Sequence, residues 1–397
     1  MSKGSLDGVK VIDLSRVLGG PLCAQILGDH GAEIIKIEPP AGDETRGWGP
    51  PFHEGGSAYF DGVNRNKKCL ALNLREKAGQ EILFRLLQEA DVLVENFKIG
   101  TLEKWGIGYE EVLKKKFPKL IHCCVTGFGS TGPYAGSPGY DAVAQAMSGL
   151  ISINGEAQRL PIRVGVPIVD ITTGMNAATA VLLALYEREK SGLGQSMEVS
   201  LYDTAISLLH PHAASWFLSG KEPERLGSAH PSITPYDLFK TRTGLVFLAI
   251  GNDGQFAGLC KLLEREEIAA DPRFLNNGKR TENRVVLRAI LEDMMEKTDG
   301  RALCQILINK GIPAGPVETI PDVMVHPQTV AREMVLESGD YRGTGIPIKL
   351  SRTPGEFRNV PPSYGQHNHT ILQEAGYSDE EIDNFLKMQI VLDKPNK

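Results

Sequence analysis

The most conspicuous motif is a glycine loop, Gly127-Phe128-Gly129-Ser130-Thr131-Gly132, which fits GxGxxG and follows a β-rich run. On its own it would support a nicotinamide-dependent oxidoreductase. That fingerprint works only where a helix starts inside it, so that the helix N-terminus holds the pyrophosphate. Here Pro133 follows at once, then Tyr134-Ala135-Gly136-Ser137-Pro138-Gly139. No acidic residue ends a strand about twenty residues further on, where the ribose would need one. The loop reads better as one that lets backbone approach some other ligand. Asp170 is the other residue in a suggestive setting. It follows Gly165-Val166-Pro167-Ile168-Val169 and precedes an apolar-periodic run that reads as a helix from Thr172. Such an aspartate can be an N-cap. It can also be a carboxylate nucleophile supported by a helix N-terminus. Local sequence leaves both uses open. The six cysteines, Cys23, Cys69, Cys123, Cys124, Cys260 and Cys304, form no CxxC pair and no framework, so reduced thiols are expected. There is no GxxxxGK[ST], HExxH or GxSxG motif, and no metal site is expected.

The chain has 397 residues, 43 Lys+Arg against 49 Asp+Glu, and a formal charge of −6. It lacks the basic excess that phosphate-backbone binding requires, so no nucleic-acid partner is expected. The longest apolar run, Ala177–Leu185, falls short of the roughly 20 residues of a bilayer span. The stretch from Met1 to Gly8 has neither a hydrophobic segment nor a small-residue cleavage site. These features lead to the expectation of a soluble, cytoplasmic protein without a membrane partner.

The elements that must position these residues alternate in the first half. Strands are expected at Val9–Leu14, Ala32–Ile37, Cys69–Leu74, Ala90–Glu95 and Leu120–Thr126, with helices from Gly19 to Gly28 and over Lys77–Glu89. Alternation of this kind argues for an α/β fold, a doubly wound, Rossmann-like parallel sheet covered on both faces. A long helix, Thr172–Lys190, is followed by a strand at Ser196–Val199 and a helical stretch broken at Pro211. A hairpin over Leu238–Gly251 and helices near Gln255–Leu263, Arg280–Lys297 and Gly300–Asn309 suggest a smaller α+β unit. The expected organisation is a large domain over 1–218, a small one over 219–330, and a segment 331–397 that returns to the large one. That last segment is Pro-rich and extended from about Gly343. It ends in one short helix, Ser378–Leu386, opened by a Ser378/Glu381 capping box.

Colinear segments over nearly the whole chain resemble the class III CoA-transferases, the family of formyl-CoA transferase and carnitine CoA-transferase, with 2-methylacyl-CoA racemase as a divergent branch. They include Leu6-Asp7-Gly8-Val9-Lys10-Val11-Ile12-Asp13-Leu14, Gly42-Asp43-Glu44-Thr45-Arg46, Asn64-Arg65-Asn66-Lys67-Lys68, Glu95-Asn96-Phe97, Gly139-Tyr140-Asp141, Val169-Asp170 and Pro361-Pro362-Ser363-Tyr364-Gly365. Trp48-Gly49-Pro50-Pro51-Phe52, Arg225–His230 and Tyr236–Gly244 look most like the succinate–hydroxymethylglutarate CoA-transferase branch.

The resemblance implies that CoA moves from an acyl-CoA, succinyl-CoA foremost, to a small carboxylic acid, here a dicarboxylate. No cofactor is then held permanently; coenzyme A enters as substrate. Asp170 becomes the nucleophile, passing through an aspartyl anhydride and an aspartyl-CoA thioester. Leu18-Gly19-Gly20 and Gly251-Asn252-Asp253-Gly254 become candidate backbone donors to the oxyanion. The same resemblance carries CoA contacts onto Val17, Leu18, Gly19, Leu72, Asn73, Leu74, Arg75, Asn96, Phe97, Lys98, Lys104, Tyr140 and Asp141. Arg16, Arg46 and His230, with Gly251 and Asn252, are candidate substrate contacts, the arginines for a distal carboxylate. At Tyr140 the racemases place a histidine base, and a neutral tyrosine is a poor base near pH 7. The family fold implies an interlocked homodimer.

Overall fold

The computed structural model describes residues 4–396. It divides into two compact units. Met1–Leu150, Arg163–Pro211 and Pro327–Lys397 form the larger, and Ile151–Ile162 with His212–His326 form the smaller.

Six parallel strands run through the larger unit: β1 (Lys10–Asp13), β2 (Glu33–Glu38), β3 (Lys67–Ala71), β4 (Val92–Glu95), β5 (Ile121–Thr126) and β6 (Ser196–Ser200). Their spatial order is β3-β2-β1-β4-β5-β6. Chain progression reverses between β1 and β4, so the loops leaving these two strands part and open a crevice. Successive residues on each strand face opposite sides. Ile12, Ile35 and Leu93 join one core, and Val11, Ile34, Val92 and Val94 join another. With both faces buried, the strands read as nearly continuous apolar runs.

The covering helices include α1 (Gly19–Asp29), α2 (Lys77–Leu87), α3 (Asp141–Met147) and α4 (Ile168–Ser191). The apolar stripe of α2, Ile82, Leu83, Leu86 and Leu87, is buried against the first face. Each such side chain contributes roughly 1.5–3 kcal/mol. Against the other face, α1 and α4 cross closely at small residues: a Cβ on Gly174 would lie 2.7 Å from the Gly19 carbonyl oxygen. By length and composition alone α4 could cross a membrane; in the fold its Val169, Thr173, Ala177, Ala178, Val181 and Ala184 are buried.

Several elements differ from expectation. α4 begins at Ile168 rather than Thr172. β3 ends at Ala71, and Leu72–Leu74 leave the ladder because the C-terminal stretch pairs there, with Leu72 bridging Val391 and the Asn73 N–H donating to the Ile390 carbonyl. The C-terminus has two helices, Asn368–Glu374 and Asp379–Lys387, and the Ser378/Glu381 capping box opens the second. Residues 345–367, free of helix and strand, lie along the larger unit. Arg65 donates to the Thr344 carbonyl, Asn66 to that of Glu356, and Arg358 to those of Gly28 and Ala32.

In the smaller unit the expected hairpin is present, Tyr236–Thr241 with Gly244–Ala249, and Ala314–Pro316 adds a third antiparallel strand. Phe239, Val246, Leu248, Phe256, Leu287 and Leu303 share its core. The helix expected over Arg280–Lys297 is broken at Asn283 into Asn277–Glu282 and Arg284–Glu296. Arg280 is fully buried just before the break, donating to the Thr234 and Phe274 carbonyls.

Candidate active site

The loops after β1 and β4 are tied to each other by one side chain. Asn96 accepts the Arg16 N–H at 2.9 Å and donates to the Arg16 carbonyl at 2.7 Å. Beside this tie, Val17 has φ 71°. That left-handed conformation is costly for a β-branched residue, and such costs gather at functional sites. α1 starts directly after, with Leu18 at its N-cap and no side-chain cap. The first-turn N–H groups of a helix have no acceptor within it. Gly19 lines a cavity of about 280 Å³ together with Arg16, Phe128, Tyr140 and Asp170. Glycine is required at the cavity's far side. A Cβ on Gly127 would stand 2.7 Å from the Gly139 nitrogen, so the two loop backbones cross in contact.

Asp170 is the third residue of α4, whose N-cap is Pro167, so it is no N-cap. The cap comes from α3. Asp141 Oδ2 accepts the N–H groups of Val169 at 2.8 Å and Asp170 at 3.2 Å. Its Oδ1 accepts from Gln145 Nε2 at 2.5 Å, and Gln145 Oε1 accepts the Val164 N–H at 2.9 Å. Asp170 is 8% exposed. Burial first, and the Asp141 carboxylate second, push its carboxyl up to about 7. Burial, then the charges of Asp170, Asp141 and Asp43, push the Tyr59 phenol up to about 12. Tyr59 therefore belongs to the electrostatic surroundings of Asp170, and its edge-to-face contact with Trp48, at 5.1 Å, fixes its ring.

A second cavity, of about 640 Å³, is lined by Leu72–Arg75, Pro39, Thr101 and Trp105, and shares Arg16, Phe97 and Lys98 with the first. The larger unit also holds a buried network of balanced charge. Lys36 Nζ contacts Asp43 at 2.9 Å and the Ser15 carbonyl at 2.8 Å. Lys67 Nζ contacts Asp13, Asn64 Oδ1 and the Pro21 carbonyl, each at 2.9 Å. Arg46 holds Glu38 through both oxygens, at 2.6 and 2.9 Å. Burial lowers Lys67 to about 8, whereas the Lys36 ammonium overcomes burial and holds Asp43 at about 2. Pairing each charge with an opposite one and with further hydrogen bonds is what makes such burial tolerable. Among the described residues no cluster of three or more His, Cys, Asp or Glu could hold a metal. A buried carboxylate faces a cavity where a helix presents free N–H groups, and cations line the adjoining space. That arrangement can attack a carbonyl, stabilise the resulting oxyanion and seat a phosphate-bearing leaving group.

The description of CoA-transferase family III matches residues 6–368. The chain belongs to this family. It is 40% identical to a succinate–glutarate CoA-transferase of Agrobacterium fabrum, over 94% of this chain and 96% of that protein. It is 38% identical to the succinyl-CoA:glutarate CoA-transferase of Homo sapiens, over 97% and 90%. The crystal structure of a CaiB/BaiF family protein from Brucella suis matches with a TM-score of 0.85 and 41% identity, over 94% of this chain and all of that one. The protein is thus a CoA-transferase with the mixed α/β fold of that family.

Of the residues expected at the site of this CoA-transferase, Arg16, Val17, Leu18, Gly19, Asn96, Phe97, Lys98, Tyr140 and Asp170 line the first cavity. Leu72, Asn73, Leu74 and Arg75 line the second. Lys104 ends the short helix Thr101–Lys104, is exposed, and lines neither cavity. The side chains of Asn96 and Asp141 bond to backbone, holding the Arg16 loop and the start of α4. The two arginines separate clearly. Arg46, 12% exposed, stacks on Phe60 and donates to Glu38 and to the Gly55 and Pro362 carbonyls; its partner is Glu38 rather than the neighbouring Glu44. Arg16 leaves its Nε buried without a hydrogen-bond partner. His230, Gly251 and Asn252 fall in the smaller unit. The His230 ring packs on Tyr236 and accepts the Ser232 N–H. Asn252 caps the helix Asp253–Leu262, and the Gly251 N–H donates to Gln255 Oε1, which occupies this expected oxyanion donor. The glycine motif at 127–132 starts no helix; the next is α3, at Asp141. Tyr59 and Glu44 also stand near Asp170, and no motif marks the phenol, which sits on the short helix Ala58–Asp61 that the sequence pattern does not resolve.

Proposed function

We propose that this CoA-transferase moves CoA from succinyl-CoA to a small dicarboxylic acid, with Asp170 as nucleophile. The Asp170 carboxylate attacks the thioester carbonyl, the C–S bond breaks, and a mixed anhydride forms as CoA thiolate departs. The thiolate attacks the Asp170 carbonyl, releasing the donor acid and leaving an aspartyl-CoA thioester. The acceptor carboxylate attacks that thioester in turn, and the expelled thiolate takes the acceptor acyl group and frees Asp170. N–H groups at the start of α1 stabilise each oxyanion. The observation that carries the reading is Asp170 itself: buried, unpaired with any cation among the described residues, and facing the uncapped end of α1. The names of the two glutarate transferases support the donor and the dicarboxylate class. The unpartnered Arg16 Nε supports Arg16 as the group that holds a distal carboxylate. The chain acts as a homodimer of interlocked copies. The chain's departure from the larger unit at 211 and return at 327 supports this, as does the exposed apolar face of α4, Met175, Leu182, Leu183 and Tyr186.

The experiment is to mix enzyme with succinyl-CoA alone, quench with hydroxylamine and locate the hydroxamate by peptide mass spectrometry. Label at Asp170 is expected, with none in Asp170→Ala, which should also be inactive. Turnover at the wild-type rate in Asp170→Ala would overturn the mechanism.

A further inference from the structure

We infer that Asp141 is a positioning residue that fixes the start of α4 and sets the pH at which Asp170 becomes a nucleophile. The inference rests on the reading of Asp170 as the attacking carboxylate. A helix N-terminus carries about half a positive charge and favours a carboxylate in its first turn. Left alone, α4 would therefore make Asp170 an easily ionised and weakly basic carboxylate. Asp141 cancels that effect. Its Oδ2 takes the N–H groups of Val169 and of Asp170 itself, so the positive end of α4 is already occupied. Burial is the larger cause that holds the Asp170 carboxyl against ionisation, and Asp141 adds to it by placing a like charge beside that carboxyl.

Asp141 cannot swing away to relieve this. It is 7% exposed, and its Oδ1 is held by Gln145, which is fully buried and anchored in turn to the Val164 N–H. Two side chains one turn apart on α3 thus clamp both the approach to α4 and its first turn. The other groups around Asp170 are Tyr59, whose phenol stays protonated, and Arg16, Glu44, Lys98 and Tyr140 along the cavity. None of these lies on the N–H groups of α4. The chemical gain is nucleophilicity. A carboxylate of higher proton affinity attacks a thioester carbonyl faster, and the cost is a smaller ionised fraction in mild acid.

The test is the pH dependence of kcat/KM for succinyl-CoA, with glutarate saturating, in wild type and in Asp141→Asn. This parameter reports groups of the free enzyme. The wild-type acid limb is expected to centre near 7. In Asp141→Asn it should move down by about one pH unit or more, and the plateau should fall several-fold. The asparagine amide would face Gln145 Nε2 donor to donor, so Asp141→Asn/Gln145→Glu is made beside it. That pair restores the hydrogen bond and moves the charge one turn along α3, and its limb should lie between the other two. An equal loss of rate at every pH, with the limb unmoved in whichever variant folds, would overturn the inference and reduce Asp141 to a cap. Full activity in Asp170→Ala would instead overturn the nucleophile assignment, a separate failure read from a separate variant.

Discussion

Replacing Asp170 with asparagine should stabilise the fold while removing the proposed nucleophile, and the gain should grow with pH. The folded protein holds the Asp170 carboxyl at about 7, against 3.8 for an unperturbed aspartate. Over that interval the folded state keeps a proton that the unfolded chain releases. Stability is thus fully present below 3.8 and is lost as pH rises through about 7. At about 1.4 kcal/mol per tenfold in proton affinity, the loss reaches about 4 kcal/mol in mild alkali and about 2 kcal/mol near pH 5.5. Asparagine carries no such loss. Its advantage should therefore be about 2 kcal/mol larger near pH 8.5 than near pH 5.5. Comparing the two pH values removes any constant cost of burying the amide. The assay is urea denaturation of both proteins at each pH, at one protein concentration, because association shifts apparent stability. An advantage that is the same at both pH values, or larger at the lower one, would refute the reasoning: Asp170 would then not be held against ionisation by burial and Asp141.

Arg16→Met should lower the kcat/KM ratio of dicarboxylate to equally long monocarboxylate acceptors well over tenfold, since a desolvated charge pair is worth about 2–5 kcal/mol. Arg46→Met should leave that ratio alone and destabilise the fold by about 3–5 kcal/mol, because Glu38 would be stranded in the interior; a ratio that falls with Arg46 and not with Arg16 would reverse the assignment. Tagged and untagged pools of the protein, mixed under native conditions, should form no mixed dimers, because interlocked chains part only by unfolding; rapid exchange would contradict the interlocking.

The sheet was legible because its strands are apolar on both faces and alternate with helices whose stripes are regular, α2 above all. Asp170 and the Arg16–Gly19 loop were legible through the family motifs. The boundaries that failed were set by partners distant in sequence. Leu72–Leu74 reads as strand, and only the docking of Ile390 and Val391 takes it out of the ladder. α4 begins at Ile168 because Asp141, twenty-eight residues before Val169, supplies the cap that Pro167 cannot. No local rule joins those positions.

Charge was the hardest property to read. Lys36 stands in the strand Glu33–Glu38, where its charge alone would suggest a solvated position, yet it is fully buried, as are Lys67 and Asp13. Sequence alone cannot tell a solvated arginine from one enclosed by a carboxylate, a ring and two carbonyls. For that reason Arg16 and Arg46 had equal claims to a substrate carboxylate. The structure separates them by one criterion, whether the guanidinium is already satisfied. Arg46 has acceptors on Nε and both terminal nitrogens, so a substrate would have to displace Glu38 to reach it. Arg16 has its main chain fixed by Asn96 and its Nε unmet. A buried N–H without an acceptor costs free energy, and in the proposed reading a substrate carboxylate supplies that acceptor. The same reasoning extends to Asp170 under the proposed mechanism, in which substrate, rather than a side chain, is the partner of a carboxylate that burial and Asp141 make unfavourable.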